Sequence, residues 1–253
     1  MWRGKVHRDH EPAGDAASSR RHAMKCVILQ PSYIPWRGYF HQVQKADVFV
    51  FYDCVQYDDR GWRNRNRIKT GAGLQWLTIP VYSKGAQTQT IPIKDVRIVR
   101  DQPWSRKHWA ALVKNYGKAP FFERYVPMLE KFYGRSDEML ADFTCELTVA
   151  LARELGLETR FVRSSTLPAQ GTKTDRLLSI LAHLGAKHYI SGPSAKEYIE
   201  LDKFEAAGIG VEFLTYSYPE YPQLHGAFEP AVTILDLIFN TGPEAPKYIW
   251  KQS

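Results

Sequence analysis

The chain of 253 residues is long enough to bury a sizeable core. Its 44% hydrophobic and 24% charged residues exclude a globally disordered protein, and a formal charge of +7 favours an anionic partner. Cys26, Cys54 and Cys145 are odd in number and far apart, with no CxxC or Cys/His cluster, which argues against a disulfide framework or structural zinc.

Residues 1–23 carry charge throughout and lack the apolar core of a signal peptide. They are expected to be a disordered extension ahead of a start-like Met24. No apolar run approaches the roughly 18 residues of a membrane span. With buried thiols, this points to a reducing, cytoplasmic setting.

Lys25 to Leu29 reads as a short buried strand ended by Gln30-Pro31, and Gly38 to Lys45 as a short helix. "ADVFVFYD", Ala46 to Asp53, is rich in β-branched and aromatic residues and is the clearest strand of the chain. Strand, short helix and strand make a βαβ unit and hence a parallel sheet. Between about 61 and 100, Trp62 to Lys69, "LQWLTIPV" and "IPIKDVRIV" follow one another with gaps too short for helices. Three antiparallel strands, with the polar loop "YSKGAQTQT" among them, are expected there.

From Pro103 the periodicity becomes helical. One helix is expected to Gly117, a second over Tyr125–Tyr133 and a long one over Glu138–Leu155, capped by Ser136 or Asp137 and stopped at Gly156. Then "ETRFVRSS", "KHYISGPS" and "IGVEFLTYS" read as strands separated by the helix "TKTDRLLSILAHLG" and a second helix opening near Ser194. The predicted fold is α/β: an open, mainly parallel Rossmann-like sheet with helices on both faces and an antiparallel insertion. Residues 24–253 are read as a single domain.

Ligands of such sheets gather at the carboxyl ends of strands, where three polar clusters fall. In "QPSYIPWRGYF", Gln30, Pro31, Tyr33, Trp36, Gly38 and Tyr39 form a turn with aromatic surfaces for a ring. Gly38 would allow close backbone approach, and a helix start would offer N–H groups to an anion. The alternative is packing of a strand end.

The second cluster runs from Asp53 through Gln56 and Tyr57 to the hairpin. Strand alternation puts Arg63, Arg65, Arg67 and Lys69 on one face and Trp62, Asn64 and Asn66 on the other. Arginine forks suit phosphate, and Asp53, Asp58 and Asp59 stand near enough to balance the charge. A solvated basic hairpin is the alternative. In the third cluster, Ser191, Gly192 and Ser194 precede a helix with Tyr198 behind, a pattern that serves phosphate binding or ordinary capping equally.

Asp53 is the candidate general base or metal carboxylate, and His225, in "YPQLHGAFEP" with Tyr221 and Gln223, a second candidate base. No GxGxxG, Walker A or GxSxG motif is present, so neither a dinucleotide site nor a hydrolase nucleophile is supported, and no cofactor or metal is identified.

Taken together, "VILQPSYIPWRGYF", "ADVFVFYDCVQYDDRGWRNRNRIKT", "WLTIPV", "YISGPSAKEYI" and "YPQLHGAFEPAVTILDLIFNTG" resemble the WbqC-like protein family over nearly everything from Met24 to about Gly242. The resemblance implies that these motif residues form a shared site or core, and it implies work in bacterial surface-polysaccharide metabolism. The layout is also similar to the nucleotidylyltransferase and pantothenate-synthetase proteins, but Trp36 and Gly38-Tyr39 stand where their phosphate-stabilising histidines would fall.

The function expected is a transferase acting on an anionic, phosphorylated or nucleotide-linked small molecule, with Arg63, Arg65 and Lys69 as phosphate clamp. The alternative is a non-enzymatic nucleic-acid or phospho-ligand binder, resting on basic residues interleaved with Trp62 and Trp76.

Overall fold

The computed structural model describes residues 23–82 and 91–250. The extension expected over 1–23 lies, apart from Ala23, outside the described residues, as does the polar loop beyond Tyr82. Among the described residues, no helix is long and apolar enough to cross a membrane.

The chain opens with β1 (Lys25–Leu29), α1 (Arg37–Lys45) and β2 (Val48–Phe51). The two strands pair in parallel, Cys26 opposite Val48 through Leu29 opposite Phe51. Every residue of β2 is buried, because both faces of the strand are covered. Alternation sorts the apolar side chains. Val27, Phe49 and Phe51 pack with Tyr39, Phe40 and Val43 of α1, and Cys26, Ile28, Val48 and Val50 face the opposite core.

The hairpin β3 (Arg65–Thr70) and β4 (Gly73–Thr78) follows as a separate two-stranded sheet. The expected third strand, 91–99, is not one: it forms a 3-10 turn at Ile93–Asp95 with isolated bridges beside it. Pro92 has no N–H to offer a ladder, and the N–H groups of Ile93 and Lys94 bond instead to Val55 and Asp53 of the loop after β2.

Helices α2 (Trp104–Tyr116), α3 (Phe122–Tyr133) and α4 (Leu140–Glu154) come next. Neither Ser136 nor Asp137 caps α4. Met139 holds that place, because 138–140 pairs with 96–98: Ile98 N–H donates to Glu138 O and Leu140 N–H to Val96 O.

The second half runs β5 (Arg160–Arg163), α5 (Lys173–Leu184), β6 (His188–Ser191), α6 (Leu201–Ala206), β7 (Gly210–Phe213) and α7 (Ile234–Thr241). Gly185 ends α5 in the left-handed region at φ 70°, where a side chain would strain the backbone. Leu177, Ile180 and Leu181 of α5, with Phe204 of α6, cover the sheet face opposite α1. All strands of the main sheet are parallel in the order β5-β2-β1-β6-β7. The chain winds outward from β1 in one direction, then returns to β6 on its other side. The carboxyl ends of β1 and β6 therefore flank the switch point, where the loops diverge and leave a crevice.

Candidate functional site

At that switch point lies a cleft of about 630 Å³, within the range of small-ligand sites. Its first wall is the turn after β1. Arg63 Nη1 donates to Gln30 O (3.3 Å), Pro31 O (3.0 Å) and Ser32 Oγ (2.9 Å), and Asn66 Nδ2 donates to Tyr33 O (3.1 Å) and Ile34 O (2.8 Å). Tyr33 N–H donates to Trp62 O. The hairpin thus fixes the turn at six places. Ile34 sits at φ 42°, a strained conformation for a β-branched residue that this network over-determines.

Trp36 and Tyr39 line the cleft with Ser32. Tyr33 points the other way: it is buried, its hydroxyl between Tyr133 (2.7 Å) and His108 Nδ1 (2.8 Å). Burial pushes His108 down to about 4, so the ring is neutral near pH 7. Gly38 is not part of the cleft lining. A Cβ there would fall 2.3 Å from the Trp36 indole, so its bareness makes room for that ring. Trp36 in turn packs edge-on against Tyr216 and Tyr218, at 5.1 and 6.0 Å between ring centroids.

The second wall follows β6. Ser191, Gly192 and Ser194 line it, and Tyr198 stands at the rim, 66% exposed. The helix expected near Ser194 is a 3-10 turn, Pro193–Glu197, and the α-helix starts only at Leu201. Gly192 gives space to the Tyr216 hydroxyl, which accepts from Gln42 Nε2 at 2.9 Å.

The hairpin supplies the third side with Trp62, Arg63, Asn66 and Arg67. The four cations expected on one face go to four different places. Arg63 pins the turn, and burial pulls its pKa down. Arg65 turns back to Arg60 O and Gly61 O and lies 4.6 Å over the Trp76 ring. Lys69 is buried, donating to Gln223 Oε1, Gly226 O and Ala227 O. Arg67 keeps a buried donor without a hydrogen-bond partner, its Nε. No aspartate or glutamate is found in the described lining.

The last wall, Pro230–Val232, rests on a buried network. Asp236 Oδ1 accepts from Tyr221 (2.8 Å) and Gln223 Nε2 (2.7 Å), and Oδ2 from Tyr116 (2.8 Å). Burial raises the Asp236 pKa against these donors and the charge of Lys69. Gln223 Oε1 also accepts from Glu229 N–H, so Lys69, Tyr221 and Gln223 position this wall without lining the cleft.

Several other expected residues stand apart from the cleft. Asp53 is buried, with Oδ1 bonded to Ser164 Oγ and Ser165 N, and Oδ2 to Ser165 Oγ and Arg163 Nε. Burial pushes its pKa up, yet the bonds from Ser165 and Arg163 prevail and hold it below the ordinary value. A carboxylate so occupied ties β2 to β5 and has no free lone pair for a substrate proton. His225 Nε2 lies 2.8 Å from Asn115 O, away from the cleft. Gln56 is exposed and bridged to Pro92, Tyr57 is buried, and Asn64 Nδ2 bonds Ile79 O inside the hairpin.

Sequence reasoning overlooked Gln42, Tyr216, the 230–232 wall and Asp236. A signal existed for two of these: "TYSY" after β7 repeats the aromatic density of the first turn, and Asp236 is a lone carboxylate in the apolar run "TILDLIFN". A groove of about 700 Å³ runs along the β5 edge between α3 and α4, but no turn or loop motif converges on it.

A model described as the WbqC-like protein family matches residues 30–248. The chain is also similar to the "Uncharacterized protein Rv1507c" of Mycobacterium tuberculosis (strain ATCC 25618 / H37Rv). The two are 41% identical over 227 residues, 89% of this chain and 97% of that protein. No solved structure matches the chain. The matched segment begins directly after β1 and takes in the other four strands of the parallel sheet and all of the described cleft lining except Leu29, and with it the chain belongs to the WbqC-like protein family.

Proposed function

We propose that this protein is a transferase of bacterial surface-polysaccharide or related sugar metabolism that holds a phosphorylated or nucleotide-linked substrate in the switch-point cleft. The carrying observation is the cleft's charge: Arg63 and Arg67 line it, Arg63 pairs with Asp58 at 3.4 Å from outside the lining, no carboxylate belongs to the described lining, and Arg67 Nε lacks a partner. An anion with several oxygens completes such a site, and a guanidinium fork recognises phosphate well. Sugar metabolism rests on the family resemblance.

Hydroxyls of Ser191 and Ser194 and the rims of Trp36 and Tyr39 give the walls the mixed character a phosphosugar needs. Catalysis on this reading comes from holding two reactants in register, the main resource of a site built for orientation. Asp53 and His225 receive no chemical role, being engaged elsewhere. Because Arg65 and Lys69 are consumed within the protein, the hairpin offers no continuous basic strip, which favours a small ligand over nucleic acid.

Calorimetry with UDP-glucose and glucose 1-phosphate tests the assignment. Arg67→Ala is expected to weaken binding about tenfold or more, the weight of a charged hydrogen bond at 1.5–3 kcal/mol. Equal affinity of variant and parent for both ligands rules the cleft out as their site.

A further inference from the structure

The hairpin carries a feature that binding a bare sugar phosphate leaves unexplained. Trp62 and Trp76 stack on each other with ring centroids 5.5 Å apart and planes 27° from parallel, yet stay 43% and 45% exposed. Arg65 lies over Trp76 at 4.6 Å, and Arg67 lies 5.5 Å from both rings. The order is therefore guanidinium, indole, indole, and of the two indoles Trp62 is the one that lines the cleft. Large aromatic surface held in the open and in a fixed place marks a contact surface. Trp62 is fixed by its own backbone, since its carbonyl accepts from Tyr33 N–H in the strained first turn.

Beside this platform sit two orphaned buried groups. Arg67 Nε has no hydrogen-bond partner, and neither has the Thr233 hydroxyl, which is 1% exposed. The two residues are bonded neighbours, Thr233 N–H donating to Arg67 O at 3.1 Å. Thr233 also precedes α7 in the cap position without bonding the helix through its side chain. Two unsatisfied donors on paired backbone call for an acceptor that the protein does not supply. Val232, the residue before Thr233, lines the cleft, as does Arg67 itself, so that acceptor belongs at the cleft's hairpin end. Across the cleft stand Ser191, Ser194 and Tyr198, with hydroxyls suited to a polyol.

We propose that the ligand is a nucleoside diphosphate-linked sugar, with its base stacked on Trp62, its diphosphate at Arg67 and Thr233, and its sugar toward the β6 turn. This rests on reading the cleft as a phosphate-binding substrate site and narrows the ligand from any phosphorylated molecule to one with a flat ring beside two phosphates. Stacking of this kind tolerates any base, because every base offers a π-face, so it selects the nucleotide class and not one base. Arg67 serves both parts, reaching toward phosphate while its charge lies against the indole pair.

Tryptophan fluorescence and calorimetry on the full chain test it with UDP-glucose, ADP-glucose, GDP-mannose and glucose 1-phosphate. The nucleotide sugars are expected to quench fluorescence and to bind at least tenfold more tightly than glucose 1-phosphate. Trp62→Ala should weaken them about tenfold or more and leave glucose 1-phosphate unchanged, with Trp62→Phe between, since a smaller ring retains part of the stack. Trp62 is half-exposed, so neither variant opens the core. If glucose 1-phosphate binds as tightly as every nucleotide sugar and Trp62→Ala alters none of them, the platform is wrong while the phosphate site stands. If none of the four binds, or Arg67→Ala changes no affinity, the phosphate site fails and the platform with it.

Discussion

Replacing Asp53 with asparagine separates a structural carboxylate from a catalytic one. Its four donors divide evenly: Ser164 Oγ and Ser165 N–H at 2.9 Å on Oδ1, Ser165 Oγ and Arg163 Nε at 2.7 Å on Oδ2. An asparagine carbonyl keeps the first two. Its amide then faces the other two, and while the Ser165 hydroxyl reverses, the Arg163 Nε–H does not. One charge-assisted bond is lost, about 1.5–3 kcal/mol, and a donor is turned against a donor. Removing one partner of a buried ion pair reaches about 3–5 kcal/mol. Here Arg163 keeps Asp142 as a second partner, so we expect about 2–4 kcal/mol. At roughly 2–4 °C per kcal/mol for a chain of this size, melting should fall by about 5–15 °C. The deficit should also depend on pH. Asp53 is held below its ordinary value near 3.8, so its contribution is full above that value and is lost as pH falls through the folded one. Thermal melts of parent and variant from pH 3 to 8 should therefore be far apart at neutrality and converge in acid. A variant melting within about 1 °C of the parent at pH 7 would refute the structural role, and with lost turnover it would return Asp53 to the chemistry.

Gly38→Ala places a methyl 2.3 Å from the Trp36 ring, so the indole must leave its edge contacts with Tyr216 and Tyr218. Those contacts hold about 0.5–1.5 kcal/mol each, while alanine returns up to about 1 kcal/mol of helix propensity. Melting should move by only a few degrees while UDP-glucose affinity in calorimetry drops; unchanged affinity contradicts Trp36 as a cleft wall. Asp236→Asn tests the opposite linkage. Burial raises the Asp236 pKa, so its stabilising share is full below the ordinary 3.8 and is lost as pH rises through the folded value. Urea unfolding at several pH values should show the parent losing ground to the asparagine variant as pH climbs, and a difference that stays flat with pH counts against a titrating Asp236.

The parallel sheet was legible because β1 and β2 are buried on both faces and read as unbroken apolar runs. The three clusters were legible too, since strand ends are polar and irregular in the sequence itself. What a local pattern cannot carry is the partner across the fold. Arg63, Arg65, Arg67 and Lys69 do alternate as a strand requires. Yet Arg63 meets the turn after β1, and Lys69 meets a loop some 150 positions later. A shared face of one strand is no shared environment once different segments lie over its two ends. Asp53 misled for the same reason: a carboxylate at a strand end looks poised for chemistry until Arg163 and Ser165, more than a hundred positions on, occupy it.

The first turn shows why the cleft is rigid before any ligand arrives. A segment that merely sealed the core would relax Ile34 out of φ 42°, since a β-branched residue gains by leaving that region. It is kept there because Asn66 holds the carbonyls on both sides of it, Tyr33 and Ile34, and Arg63 holds the three preceding residues. The strained step sends Tyr33 into the core, to Tyr133 and His108, while Ser32 and Trp36 remain on the cleft side. Strain is thereby exchanged for a wall whose position does not depend on the ligand, which reduces the ordering a substrate must impose on binding. The same two hairpin residues, Arg63 and Asn66, also line the cleft, so a ligand pressing on them presses on the turn. That coupling makes the "QPSYIPW" turn and the "WRNRN" stretch one structural unit, and it accounts for an aromatic turn of the main sheet and a basic stretch at the hairpin meeting around a single cavity.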